Sequence, residues 1–145
     1  MNSALLPFRK WLQNRLDNDE NLKSPLSTGR SITGVLSYVP ENQPFPYIYL
    51  DQFYQRPDHT FSGGEARIIT GTITVWTDHP SDIELLEIED RLTSLLEYAT
   101  GTQDGWKIIG IELQSTNLIR PAYRADHDDS YRGLALVFET RVERV

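Results

Sequence analysis

The chain has 145 residues, 39% of them apolar and 24% charged, a balance that suits a single globular domain over residues 1–145 with a real core. Cysteine is absent, which excludes disulfide frameworks, thiolate nucleophiles and Cys-ligated zinc. The net charge of −7, with lysine only at Lys10, Lys23 and Lys107, argues against a surface built to grip nucleic acid, because phosphate binding needs clustered cations.

Leu5, Phe8, Leu12 and Leu16 recur at helical spacing, and Pro7 is tolerated only in a first turn, so a helix is predicted near residues 5–18. Arg9, Lys10 and Arg15 break the early apolar pattern, so neither a signal peptide nor a membrane span is expected. The host cytoplasm, or a particle assembled there, is the expected location. Ser24–Thr33 reads as a loop, and Val35–Val39 as a short strand closed by Pro40. A Pro-rich link then leads into Tyr47–Tyr54, whose aromatic and β-branched content suits a strand. Gln55–Gly64, with Pro57, Gly63 and Gly64, is predicted to be a mobile hairpin loop that orders on assembly.

Arg67–Thr77 is the clearest strand, with Ile69, Ile73 and Val75 alternating against Thr70, Thr72, Thr74 and Trp76. A second helix is predicted near residues 82–99. Ser81 and Glu84 stand at capping-box spacing, Leu85, Ile88, Leu92, Leu95, Leu96 and Ala99 make one apolar stripe, and Gly101 is placed to end it. Trp106–Arg120 and Tyr131–Val142 follow as strands around an acid-rich loop, Pro121–Ser130. The expected fold is therefore α+β: two helices on one face of a mostly antiparallel sheet of four to five strands, in the order α-β-β-β-α-β-β.

Candidate chemistry is sparse. His59, His79 and His127 each neighbour an aspartate, but all three fall in predicted turns, and no pair has the helical spacing of a hydrolytic zinc site. Glu84, Glu87, Glu89 and Asp90 crowd the second helix, but Glu87, Asp90 and Glu97 fall opposite its apolar stripe, so a solvated face explains the carboxylates, with Glu87 able to pair with Arg91. Ser62-Gly63-Gly64 lacks the Lys-Ser/Thr and the helix of a phosphate loop. No catalytic residue, metal site or cofactor is predicted. Phe8, Trp11, Trp76 and Phe138 are assigned to the core. Tyr47 and Tyr49 share a strand face and suit an interface, where a tyrosine buries area while keeping a hydrogen bond. Ile83, Leu86 and Tyr98 lie off the helix stripe, and Arg56, Asp58 and Phe61 sit in the mobile loop; together these eight residues form the candidate subunit or partner interface.

The order of elements resembles the tail-terminator and tail-to-head joining proteins of long-tailed phages. The likeness lies in the opening helix Leu5–Leu16, the run Phe45-Pro46-Tyr47-Ile48, the strand Thr72-Ile73-Thr74-Val75-Trp76 followed at once by a helix, and the closing strand Gly133–Glu139. It covers nearly the whole chain, although Gln114–Ser130 is longer and more polar than the simplest members need. The resemblance implies a structural virion protein, of phage, prophage or gene-transfer-particle origin. It would form a homo-oligomeric ring, usually hexameric, that caps the tail tube and meets a head-side connector or stopper while double-stranded DNA passes through. An acidic surface suits such a passage, and ordinary solubility explains it as well. Two other readings stay open: an acidic binding or regulatory module acting as monomer or dimer, and a small enzyme using the histidine-bearing loops.

Overall fold

A computed structural model of the chain describes residues 3–59, 65–120 and 131–145. The elements run α1 (Leu5–Asp17), α2 (Glu20–Lys23), β1 (Val35–Leu36), β2 (Tyr47–Pro57), β3 (Ala66–Thr77), α3 (Ile83–Leu96), β4 (Gly101–Gln103), β5 (Trp106–Ile119) and β6 (Arg132–Arg144). The strands form one sheet in the order β1-β2-β3-β6-β5-β4, wrapped as a half-barrel. All neighbours are antiparallel except β1 and β2.

The α+β expectation holds in outline, while strand count and order differ from it. The sheet has six strands among the described residues, not four or five, because β4 forms a hairpin with β5. Asp104 and Gly105 make its turn, both in the left-handed region at φ 50° and 84°, which is the geometry a two-residue hairpin turn demands. The Val35–Val39 strand shrinks to two residues and runs parallel to β2. The predicted mobile loop loses its first residues to β2, which continues through Gln55 and Arg56 to Pro57, while residues 60–64 and 121–130 lie outside the described part. Gly101 opens β4 instead of ending α3, which stops at Leu96.

One face of the sheet is closed. Alternation along β3 and β6 sends Ile69, Ile73, Val75, Leu134, Leu136, Phe138 and Val142 to that face, where all are buried. There they meet Phe8, Trp11, Leu12 and Leu16 of α1 and Leu85, Ile88, Leu92 and Leu96 of α3 in one apolar cluster. Gly71 is a packing requirement: a Cβ there would come within 2.5 Å of the Phe138 ring and 2.7 Å of Phe53.

Candidate functional site

The closed face holds an ion cluster built on a buried carboxylate, Glu84, which the sequence did not set apart from the solvated helix face. Glu84, at full burial, accepts hydrogen bonds from Arg30 Nε at 3.0 Å, from a second Arg30 nitrogen, from Thr28 and from Thr77 Oγ1 at 2.6 Å. Burial pushes the Glu84 carboxyl up, but the hydrogen bonds from Arg30, Thr28 and Thr77 and the Arg30 charge outweigh it and hold the pKa at about 2. Arg30 is raised in turn, chiefly by its hydrogen bond to Glu84, and Arg30 Nη1 also donates to Asp78 at 2.7 Å. Glu84 therefore closes no capping box: α3 begins after Asp82 without a side-chain cap. Nor does Glu87 take Arg91 as its hydrogen-bond partner. Glu87 accepts from the Ser27 hydroxyl and backbone, while Arg91 donates to the carbonyls of Ser24 at 2.6 Å and Pro25 at 3.0 Å. The cluster has a structural effect, pinning the long Ser24–Gly34 connection onto α3.

The opposite face of the sheet carries no helix among the described residues, and its two ends differ. Toward the start of β2 lies an aromatic patch. Phe45 stacks on Tyr47 at 5.4 Å and on Tyr131 at 6.4 Å between ring centroids, and Trp76 meets Tyr131 edge-on at 5.7 Å. With Val39 and Tyr49 they surround a shallow depression of about 340 Å³. Trp76 thus belongs to the open face, not to the core; Gly133 opposite it leaves room for the indole, whose Nε1 donates to Thr74 Oγ1 at 3.0 Å. Burial raises the Tyr47 phenol pKa, and the adjacent Tyr131 adds to the rise.

Toward the end of β2 lies a charged cleft of about 640 Å³. Arg56, Asp58 and His59 form one wall, with Ile109, Glu112, Glu139 and Arg141 on the strands and Tyr98 at the rim. Arg141 pairs with Asp58 at 3.1 Å and with Glu143 at 3.3 Å, and Arg56 approaches Glu139 at 4.0 Å. Charges of both signs alternate here, so the cleft favours a partner that is itself mixed in charge over a polyanion. Tyr98 is held in the left-handed region at φ 60°, its N–H donating to the Ile111 carbonyl at 2.9 Å, and its ring is 75% exposed.

Of the eight candidate interface residues, the structure gathers Tyr47 and Tyr49 at one end of the open face and Arg56, Asp58 and Tyr98 at the other. Ile83 and Leu86 are exposed on α3, the helix that covers the opposite face. Phe61 lies outside the described residues. So does His127; among the described residues no group of three carboxylate or imidazole side chains is placed to hold a metal. Trp76, Tyr131 and Glu139 also line these two ends and were not among the eight; the alternation that put Trp76 opposite Ile73 and Val75 was the available signal for its place.

A profile of the family described as "Tail completion protein gp17" matches residues 12–143. The chain belongs to that family. It is accordingly a structural tail-completion protein of the virion, as the order of its elements led us to expect. Among solved structures the chain is similar to one in the "Virion of native gene transfer agent (GTA) particle", with a TM-score of 0.78 and 19% identity over 99% of each chain. That likeness speaks for the fold. Comparison with curated protein sequences gives no significant match.

Proposed function

We propose that the protein acts without catalysis, as a homo-oligomeric ring, hexameric in the simplest case, that closes the tail tube and offers a surface to a head-side connector or stopper. Double-stranded DNA passes through the ring without specific binding. The observation that carries the reading is the open sheet face: in a tail-completion protein, an aromatic patch and a charged cleft flank one surface that no other described element covers. Tyrosine-rich and mixed-charge surfaces of this kind suit protein partners. Tyr47, Tyr49, Arg56, Asp58 and Tyr98 contribute to subunit or partner contacts on that face, and Ile83 and Leu86 to a second contact on α3. The net charge of −7 suits passage of DNA, since a cationic lining would hold the phosphates and slow transit.

The test is electron microscopy of the purified protein, alone and mixed with tail tubes, beside the Tyr49→Asp variant. Wild type should give closed rings in at least one condition. Tyr49→Asp should keep its circular dichroism spectrum yet lose the rings, leaving tails of uncontrolled length or heads that fail to join. Wild type that stays monomeric or dimeric in both conditions would instead favour the acidic binding module.

A further inference from the structure

The sheet ends on two edges, and among the described residues each is capped along only half its length. Among the described residues β1 pairs with Ile48 and Tyr49 alone, leaving β2 open from Asp51 to Pro57. β4 pairs with Trp106 to Ile108 alone, and beyond the Tyr98 bond to Ile111 no described residue pairs with the outer edge of Leu113–Ile119. Natural sheets blunt such edges with charge, proline or a covering element. The Leu113–Ile119 segment carries no charged residue and no proline, and Gln114 to Leu118 are all exposed.

The hydrogen-bond parity shows what each edge offers. Ile48 N–H points away from β3, to the Gly34 carbonyl, and Asp58 N–H points inward to Ala66. Counting along the β2–β3 register between these anchors, Phe53 and Gln55 turn their N–H groups outward, and Pro57 ends the run. Counting likewise from Ile111, whose carbonyl points outward, through the shift at Leu113/Ser115, Thr116 and Leu118 turn theirs outward. The interfaces β2–β3, β3–β6 and β6–β5 are all antiparallel, so β2 and β5 run in opposite directions. A second copy laid beside the first, with the sheet continued, therefore presents β5 antiparallel to β2.

We propose that the ring is joined by strand addition, the open half of β5 in one subunit pairing with the open half of β2 in the next, with Thr116 opposite Gln55 and Leu118 opposite Phe53. The second copy is the occupant that both edges fit. In this register all four outward-facing residues meet, and the side chains of each pair fall on the same face, since Phe53, Gln55, Thr116 and Leu118 all register with closed-face positions. Leu118, 41% exposed, then covers Leu6, 64% exposed, in a groove of about 600 Å³ lined by Leu6, Arg9 and Phe53. At one end Arg120 comes near Asp51; at the other, past the extra residue Gln114, Glu112 falls opposite Asp58, whose charge Arg141 answers within its own subunit. Because the two open halves lie at opposite ends of the sheet, neighbours step along the strand direction, as inclined strands do in a closed barrel. The contact is head-to-tail, which closes into a ring when its rotation does.

This inference rests on the ring reading, and the test separates the two. The chain has no cysteine, so introduced ones report alone. Tyr54 and Asn117 become a directly opposed pair with inward N–H groups, whose Cα atoms sit about 4.5 Å apart, close enough for a disulfide. Tyr54→Cys combined with Asn117→Cys, oxidised under the conditions that give wild-type rings, should produce a ladder of covalent multimers on a non-reducing gel, and neither single variant should. Rings from the double variant without the ladder would overturn strand addition and leave the ring reading standing. Absence of wild-type rings by microscopy would remove both. Thr116→Pro deletes one outward donor without touching the ladder to β6. It should abolish rings with little change in the subunit's melting temperature, and rings that persist in it would also overturn the proposal.

Discussion

The two faces of the sheet come from the same strands and differ by one residue in register, yet they obey different rules. On the closed face every large apolar side chain of β3 and β6 is sealed by α1 and α3, and the buried carboxylate Glu84 is bonded on all sides. On the open face Arg56, Glu139, Arg141 and Glu143 remain partly exposed while Asp58 is nearly buried against Arg141, and the aromatic rings touch one another without a covering layer among the described residues. A charge on the first face is tolerated only with its partners already in the subunit. A charge on the second can wait for them from another protein. The contrast separates what folds the chain from what the chain presents.

The largest effect should come from breaking the closed face. Leu92 is fully buried in α3 against the sheet. Leu92→Asp places an unpaired charge there at a cost of several kcal/mol, comparable with the stability of a whole domain, on the order of 5–15 kcal/mol. Loss of the cooperative thermal transition and of near-ultraviolet dichroism would mark the unfolding. A folded, soluble variant would show that the helix layer is not the core's essential cover.

A smaller effect should follow from the ion cluster around buried Glu84. Glu84→Gln removes the charge that Arg30 answers, at about 2 kcal/mol, below the ~3–5 kcal/mol of a sealed pair because the Arg30 side chain is 37% exposed and keeps Asp78. The pH dependence has a definite sign. The Glu84 pKa falls from an ordinary 4.5 to about 2 in the folded chain, so its stabilisation is fully present above about pH 4.5 and is lost as the pH drops toward 2. Urea midpoints measured from pH 6 down to 2 should fall more steeply for the wild type than for Glu84→Gln. Parallel curves would mean that Glu84 contributes nothing through its charge.

The same contrast explains what the sequence could reveal. The closed face was legible because period-2 and period-3.6 patterns record burial directly, as at Ile69, Ile73 and Val75 or at Leu85, Ile88 and Leu92. Glu84 was not, because nothing local announces that Arg30, far along the chain, will meet it. The short strands β1 and β4 carry too few residues for a pattern, although Asp104-Gly105 was a readable hairpin turn. On the open face the sequence could name single residues as interface candidates. Their division into an aromatic end and a charged end was not, since it depends on which strands become neighbours: β6 enters between β3 and β5 and brings Tyr131 to Trp76 and Arg141 to Asp58.

The smallest change is also the most selective. Gly133 lies opposite Trp76 across the β3–β6 pairing, and a Cβ built on it would come within 2.7 Å of the indole ring. Gly133→Ala leaves the closed face untouched and forces only that ring to move, so its cost should be near the lower end of overpacking, about 1 kcal/mol. The consequence for the open face is larger, because Trp76 supports Tyr131, which in turn supports Phe45 and Tyr47. Three tryptophans are present, and Trp11 and Trp106 are 9% and 1% exposed, so added acrylamide quenching in the variant would report Trp76. The expected result is a subunit with wild-type far-ultraviolet dichroism, a melting temperature lower by a few degrees, stronger quenching and weaker assembly. Stronger quenching with assembly unchanged would take the aromatic patch out of the contact surface and leave the charged cleft and the strand edges to carry it.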